Sequence, residues 1–424
     1  MTVLVLSNQT PTIEDQLTAR GQDVIVCLTA PNAAARLAAR PPYEVISISS
    51  WTSHAELAQI AKRLRGRVRQ VATVWEGALI AAGTLRELMD LPGQTEGNAL
   101  GFVDKSIMKD ELYAAGVDVA SHEVAYSAAD VPAAAARVGG FPVVVKPVRG
   151  FGSTNTHVVR SLEHLAHLER QGVFTADLPT SPFFRAEPAF RGLAAQGGFM
   201  VEQYIHILDE FHVDAYWIDG EPVYQAPMVY TVPALHGIGG VLGSVLIDQE
   251  PEAGPVLALA EKACRALRAS TCFTHTEIYL ARDGQWLVGE VAARPGGGGI
   301  QTTLAHAYGI DVASLLADLA QGTPTRPQIT RADGVYGWAG PYVPPGTVTR
   351  IATRDQIMAL PGVIDARVVT RVGDAGGPTG SGQWGGLAGY VWMRGDDTRK
   401  VLNALPAATD AFDIDIAADD GDEA

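Results

Sequence analysis

Over residues 1–95, apolar runs alternate with stretches of helical period. VLVLS (3–7), DVIVCLT (23–29), YEVISIS (43–49) and VATVW (71–75) read as strands. PNAAARLAAR and HAELAQIAKRLRG, rich in Ala and Arg, read as the helices between them. Strands alternating with helices predict a parallel sheet with helices on its faces. The first strand and its exit, VLVLSNQTPT, lack the G-x-G-x-x-G turn of a dinucleotide site. The segment is therefore Rossmann-like without that phosphate turn, and a small-substrate site at the strand ends stays open.

The pattern then changes. DKSIMKDELYAAGV is a helix with a Gly exit, DVASHEVA is extended, VPAAAARVGG is a helix, and FPVVVKPV is a buried strand running into RGFGSTNTHVV. Residues 161–170 read as helix, and LPTSPFFRAEPAFRGLAAQGG (178–198) as irregular. GFMVEQYI, EFHVDAYWI and EPVYQAPMVY are strands; PEAGPVLALAEKACRALRA is a helix before the hairpin FTHTEIYLARDGQWLVGEVAA. After the helix GIDVASLLADLAQG, short strands alternate with Gly-rich loops, and the acidic tail AADDGDEA is expected to fray. No internal repeat is visible. The middle of the chain is α+β, unlike its start.

Composition narrows the function classes. At 424 residues the chain has room for several domains, and 47% hydrophobic with 19% charged residues is too apolar for wholesale disorder. The net charge of −15 argues against a general nucleic-acid binder. MTVLVLSNQT has no basic flank or h-region of a signal peptide, and no apolar run suggests a membrane span. Cys27, Cys264 and Cys272 make no pairing framework or metal spacing, so a reducing cytoplasm is expected. Lysine is scarce, limited to Lys62, Lys105, Lys109, Lys146, Lys262 and Lys400.

The chemistry concentrates in the hairpin. Asp283-Gly284 signals a two-residue type I′ turn. Such a turn sets Glu277 opposite Glu290, and His275 opposite Ala292, on a face shared with Tyr279, Ala281, Trp286 and Val288. Facing carboxylates on an apolar stripe need a cation or a shared proton, and their hard oxygens suit magnesium. Two solvated glutamates on an edge strand is the competing reading. Arg294, farther along the same face, leads into PGGGGI; it fits either charge stabilisation of phosphate or carboxylate oxygens or a structural Arg–Glu pair. Lys146 closes a buried strand and calls for an anion, and RGFGSTNT after it can turn N–H groups toward phosphate. Lys105 lies near a helix start, where it is either anion-binding or solvated. Glu202 and Glu210 can accept hydrogen bonds from an amino group and from ribose hydroxyls, or be surface strand carboxylates.

In order, DKSIMK, VVVKPVRGFGSTNT, VEQYI, EFHVDAY and HTEI…GEVAARPGGGG resemble the ATP-grasp superfamily, and within it the carboxylate–amine ligases that include L-amino-acid (dipeptide) ligases. The resemblance implies a mixed α/β and α+β chain: an N-terminal Rossmann-like pre-ATP-grasp domain over 1–100 and a small first lobe with the glycine-rich loop over 101–205. A second lobe with the metal-binding hairpin follows over 206–325, then a C-terminal α+β subdomain and tail over 326–424. It also implies that Lys105 and Lys146 hold the ATP phosphates under a loop including Gly150, Gly152, Ser153 and Thr154. Glu202 and the backbone of Gln203, Tyr204 and Ile205 would read adenine, and Glu210 the ribose. Glu277 and Glu290 would hold magnesium, two ions with manganese able to substitute, and Arg294 would stabilise the acyl-phosphate and the tetrahedral intermediate. Many relatives read Glu-x-Asn where this chain has Glu290-Val291-Ala292, which removes an amide ligand; His275 is expected to fill that space or hold a metal-bound water.

For substrates, Glu76 is the acidic candidate for gripping an amino group, with His236 on the acceptor side and His275 and Gly297 as further substrate candidates; Trp338 and GGPTGSGQWGG (376–386) would shape the pocket. The expected reaction joins a small carboxylate, such as an amino acid, to an amine, with ADP and phosphate released. Small molecules are the expected partners, not nucleic acid or membrane, and a homodimer is compatible. The alternatives are biotin-carboxylase-like bicarbonate activation, a grasp-fold phosphotransferase acting on a hydroxyl, and a nucleotide-binding regulator.

Overall fold

The computed structural model describes residues 2–174, 197–237, 239–377 and 386–417. The acidic tail after Ala417, most of the irregular 178–198 stretch and most of the Gly-rich 376–386 stretch lie outside the described residues.

The amino-terminal strands β1 (Thr2–Leu6), β2 (Asp23–Thr29), β3 (Glu44–Ile48) and β4 (Val68–Ala72) form a parallel sheet in the order β3-β2-β1-β4. Val3, Leu4, Val5 and Leu6 are all buried, as expected of a strand covered on both faces. The fourth strand starts earlier than VATVW predicts. As an edge strand β4 tolerates the exposed Arg69, whereas Val74 and Trp75 are apolar because they pack beyond the last ladder bond. Trp75 leads into a single turn, Glu76–Ala78, and the helix Leu79–Met89.

A second, antiparallel sheet comprises β5 (His122–Ala125), β6 (Val143–Pro147), β7 (His157–Val159) and β8 (Phe199–Gln203), ordered β5-β8-β6-β7. Its core is separate from the rest: Val131, Val143, Val145, Val159, Leu165 and Phe199 are buried together.

A third sheet contains β9 (Ile207–Ile218), β10 (Glu221–Tyr230), β11 (Val241–Leu246), β12 (Cys272–Ala281), β13 (Trp286–Ala292) and β14 (Val335–Pro341). With β15 (Gly346–Arg350) given to a small separate sheet, β16 (Val363–Val368) also joins it. Residues 375–376 (β17) and Asp415–Ala417 (β19) flank β15, whereas β18 (Gly389–Gly395) returns to the large sheet. The resulting eight-stranded order is β13-β12-β9-β10-β11-β14-β18-β16. Hydrogen bonds between β11 and β14 join the strands before and after residue 325 in this one sheet.

The two Asp-Gly turns differ. Asp219 and Gly220 have φ of 54° and 79°, as a type I′ turn requires. In the β12–β13 hairpin only Gly284, at φ 88°, is left-handed. Gly284 N donates to Ala281 O (2.9 Å), and Ala281 N to Gln285 O (2.8 Å), so the loop has three residues and a glycine bulge. Near the turn the register is therefore offset from the expected one: Tyr279 faces Leu287, and Ile278 faces Val288. Trp286 and Val288 consequently belong to the opposite face, with Leu280 and Ile278, a correction to the expected stripe. A second irregularity at Gly289 restores the register, and Glu277 faces Glu290 while His275 faces Ala292. Gly289 is required there, because a Cβ would run into Cζ of Tyr279.

Gly289→Ala should therefore cost about 1–3 kcal/mol, the usual range for overpacking. Urea unfolding measures it; a midpoint equal to wild type would show that Tyr279 moves aside freely.

Candidate active site

One cleft lies between the β5-β8-β6-β7 sheet and the β12–β13 hairpin. It is lined by Lys105, Lys146, Glu202, Glu210, Glu277, Glu290 and Arg294, by Gly150, Gly152, Ser153 and Thr154, and by Gln203, Tyr204 and Ile205, with His236 and His275 at its other end. These expected residues come from widely separated stretches. Glu76 and Gly297 are not among the lining groups; Glu76 pairs with Arg294 behind the cleft wall.

Lys105 is the first residue of the helix Lys105–Ala114, whose N-cap Asp104 accepts from Ile107 N and pairs with Arg149 at 3.0 Å. Its backbone N–H donates to Val148 O (2.9 Å), which fixes the helix start against the glycine-rich loop. The Lys105 ammonium donates to Glu290 Oε1 at 2.7 Å and to Gly150 O. In that loop Gly152, Ser153 and Asn155 all have positive φ, which curls successive N–H groups into a concavity suited to anions.

Lys146 pairs with Glu202 Oε2 at 2.8 Å, and Lys109 with Glu202 Oε1 at 2.9 Å. Burial works against the Glu202 carboxylate, but the two ammonium groups prevail and hold it at about 2. Its charge is thus committed to lysines, which leaves the following backbone, Gln203 to Ile205, as the part of this strand end open to a ligand. Lys109, 1% exposed, was not singled out from sequence; its signal is the spacing K-S-I-M-K, which puts both lysines on one helix face.

Glu277 and Glu290 are unequal. Burial and the neighbouring Glu290 push Glu277 above the usual carboxylate range. Glu290 lies below it because Lys105 and Lys146 outweigh burial. Among the described residues the ion-pair partner of Glu277 is His275 Nε2, at 3.9 Å. Glu210 accepts from Ala234 N at 2.7 Å, and burial together with Glu277 raises it well above normal. The pair is short of positive charge on the Glu277 side, which is the condition a divalent cation relieves.

Arg294 Nε lies 2.7 Å from Glu76 Oε2. Glu76 was expected to stand open for an amine; instead the half-buried Arg294 guanidinium takes its carboxylate, because the buried Glu76 charge is not tolerable there alone. The residue before it, Trp75, meets Phe151 of the glycine-rich loop edge-on, with centroids 5.0 Å apart. Trp338 also differs from expectation. It is 1% exposed and lies beneath Gly298 and Gly299, with Nε1 donating to Ser244 Oγ at 2.9 Å, so it supports the loop after Arg294 instead of lining the cleft.

A buried chain missed in the sequence completes the wall. His212 Nε2 lies 2.9 Å from Ser244 Oγ and its Nδ1 2.8 Å from Asp214 Oδ2; His275 Nδ1 is 3.2 Å from the same oxygen. Gly296 N donates to Asp214 Oδ1 at 2.7 Å. Both imidazoles hold Asp214 far below the normal range despite its burial. The signal was present in EFHVDAY, where Glu210, His212 and Asp214 alternate onto one face.

Glu202 supplies a pH dependence. A depressed carboxyl contributes stability above its unfolded value, here 4.5, and that contribution is lost as pH falls toward about 2. Glu202→Gln strands Lys109 and Lys146 and should cost about 3–5 kcal/mol at neutral pH. The gap to wild type in urea unfolding should narrow as pH falls through this window; a gap independent of pH would contradict the ion triad.

A family model for L-amino acid ligase C-terminal domain 2 matches residues 341–417. The L-arginine-specific L-amino acid ligase of Bacillus subtilis is 26% identical over 310 residues, spanning 73% of this chain and 71% of that protein. An L-amino acid ligase from Bacillus licheniformis superposes with a TM-score of 0.72 at 17% identity, covering 99% of each chain. N5-carboxyaminoimidazole ribonucleotide synthetase from Thermotoga maritima gives 0.64 at 14%, again over 99% of each. Phosphoribosylglycinamide synthetase from Anaerococcus prevotii gives 0.62 at 15%, over 98% of this chain and 99% of that one. The chain therefore has the ATP-grasp fold, and its residues 341–417 match the L-amino acid ligase C-terminal domain 2.

Proposed function

We propose that this protein is an ATP-dependent carboxylate–amine ligase whose carboxylate substrate is an L-amino acid. The observation that carries the reading is the convergence of Lys105, Lys146, Glu277, Glu290 and Arg294 on one cleft beneath a glycine-rich loop. The relatedness to L-amino acid ligases supports the substrate class. No helix among the described residues is long and apolar enough to cross a membrane.

Lys105 and Lys146 hold the ATP phosphates, assisted by N–H groups of residues 150–154. The backbone from Gln203 to Ile205 takes the base, and Glu210 the ribose. Glu277 and Glu290 fit a divalent cation, magnesium by preference, which when bound neutralises charge on the phosphate oxygens. The substrate carboxylate oxygen attacks the γ-phosphorus, the bond to the bridging oxygen breaks, and ADP departs. The amine nitrogen then attacks the acyl carbon, loses a proton, and phosphate leaves. Phosphate replaces hydroxide as the leaving group, which is the purpose of the two-step route.

Arg294 stands where negative charge grows on the acyl oxygen, and Glu76 fixes the direction of its guanidinium. The docked loop, with Phe151 against Trp75, keeps water from the acyl-phosphate. Most of the rate enhancement in such a site comes from charge neutralisation and positioning.

Arg294→Ala and Glu290→Gln should each lower kcat by about 10²–10³, the range seen when one such electrostatic contact is removed. Hydroxylamine added with ATP and L-amino acids should yield hydroxamates with wild type. Phosphate transfer to a hydroxyl without hydroxamate would establish a kinase instead, and near-normal turnover in either variant would sink the assignment.

A further inference from the structure

The sequence EFHVDAY puts Asp214 on the same face of β9 as Glu210, and β9 pairs with β12 so that Asp214 lies directly opposite His275. Asp214 is 3% exposed and accepts from three directions: His212 Nδ1, His275 Nδ1 and Gly296 N. A carboxylate only accepts, so Nδ1 of His275 carries the hydrogen, and in the neutral ring Nε2 carries the lone pair. That lone-pair nitrogen turns toward the cleft, 3.9 Å from Glu277 Oε1. Across the ladder His275 faces Ala292, whose side chain ends at its Cβ.

The 3.9 Å separation is too long for a hydrogen bond. It falls between the separations of two donors of one octahedral ion, about 3.0 Å when adjacent and about 4.2 Å when opposite for ligands bound at about 2.1 Å, so binding would draw the two side chains into line. A histidine whose other nitrogen is held by a carboxylate is the usual form of an imidazole metal ligand, since the carboxylate fixes both tautomer and ring orientation. His212, the other imidazole of this buried group, does not compete for the role. Its nitrogens already face Asp214 and Ser244.

We infer that His275 Nε2 and Glu277 are joint ligands of a divalent cation in the nucleotide cleft, with Asp214 as the orienting carboxylate behind the imidazole. The inference rests on the nucleotide-site reading above and extends it by a nitrogen donor and a positioning residue. Because Asp214 also accepts from Gly296 N, the residue that aims His275 at the ion also anchors the chain two residues beyond Arg294.

Electron spin-echo modulation of the full-length protein with Mn²⁺ and ADP tests it without reference to turnover. Wild type should show ³¹P modulation from the nucleotide and ¹⁴N modulation from bound imidazole, the latter replaced when the protein is labelled with ¹⁵N-histidine. His275→Ala should keep the ³¹P lines, lose the ¹⁴N lines and bind Mn²⁺ about 10-fold more weakly or worse. Asp214→Asn should weaken Mn²⁺ by about 10–100-fold, as expected when the group behind a ligand is changed. His236→Ala should retain the ¹⁴N lines. A wild-type spectrum with ³¹P but no ¹⁴N modulation, or ¹⁴N modulation that survives His275→Ala, overturns the inference and leaves the nucleotide site standing. Absence of ³¹P modulation overturns the nucleotide-site reading itself. If His275→Ala fails to fold, the labelled wild type and His236→Ala together still decide the matter, since these are the two histidines that line the cleft among the described residues.

Discussion

Two carboxylates forced to face each other on neighbouring strands, Glu277 and Glu290, set the terms for everything around them. Like charges at that separation are unfavourable, and burial makes them worse. The fold answers asymmetrically. Lys105 and Lys146 draw Glu290 into its charged form, while Glu277 is left raised, with an imidazole as its nearest basic partner. The same shortage reappears at Glu210, which lies next in line and is also pushed upward. A cleft with its lysines on one side and its unrelieved acids on the other is polarised before any ligand enters. Anionic phosphate and a cation can both be taken up, each by the half that lacks it.

The supporting structure keeps these charges in place. Two cations share one acid through Lys109, Glu202 and Lys146, so the β5-β8-β6-β7 sheet and the helix Lys105–Ala114 are joined in a single ion cluster. On the opposite wall Asp214 ties β9, β12 and the loop after Arg294 together. The amino-terminal domain takes part through two adjacent residues: Trp75 touches the glycine-rich loop, and Glu76 holds Arg294. A domain with no phosphate turn of its own thus contributes directly to the geometry of the phosphate site.

Much of this was legible in the sequence. Alternating strands and helices pointed to the parallel sheet, and the order of short motifs led to the ATP-grasp fold, which the structural likenesses bear out. The pairing of Glu277 with Glu290 was also read from the sequence, but from a turn that is not there. Partner choice was less legible. Glu76 was read as open and Glu202 as a base reader, because a lone acid in a sequence does not reveal which cation folds against it. Lys109 and Asp214 escaped notice for the same reason: each acts through residues distant in the chain, and only β9–β12 pairing or helix docking brings those together. Trp338 was read as a pocket residue, but its ring fills the space left by Gly298 and Gly299, which are distant from it in the chain.

The hairpin's two offsets cancel, with the bulge at Gly289 undoing the shift introduced at Gly284. A strand pair with one side-chain period normally transmits any change in its turn to every residue beyond it. Here the transmission stops at Gly289. The outer half of the hairpin, toward the turn, and the inner half, carrying the acids, keep separate alignments, like two rulers joined by a sliding clamp. The price of that freedom is a single position where no side chain fits.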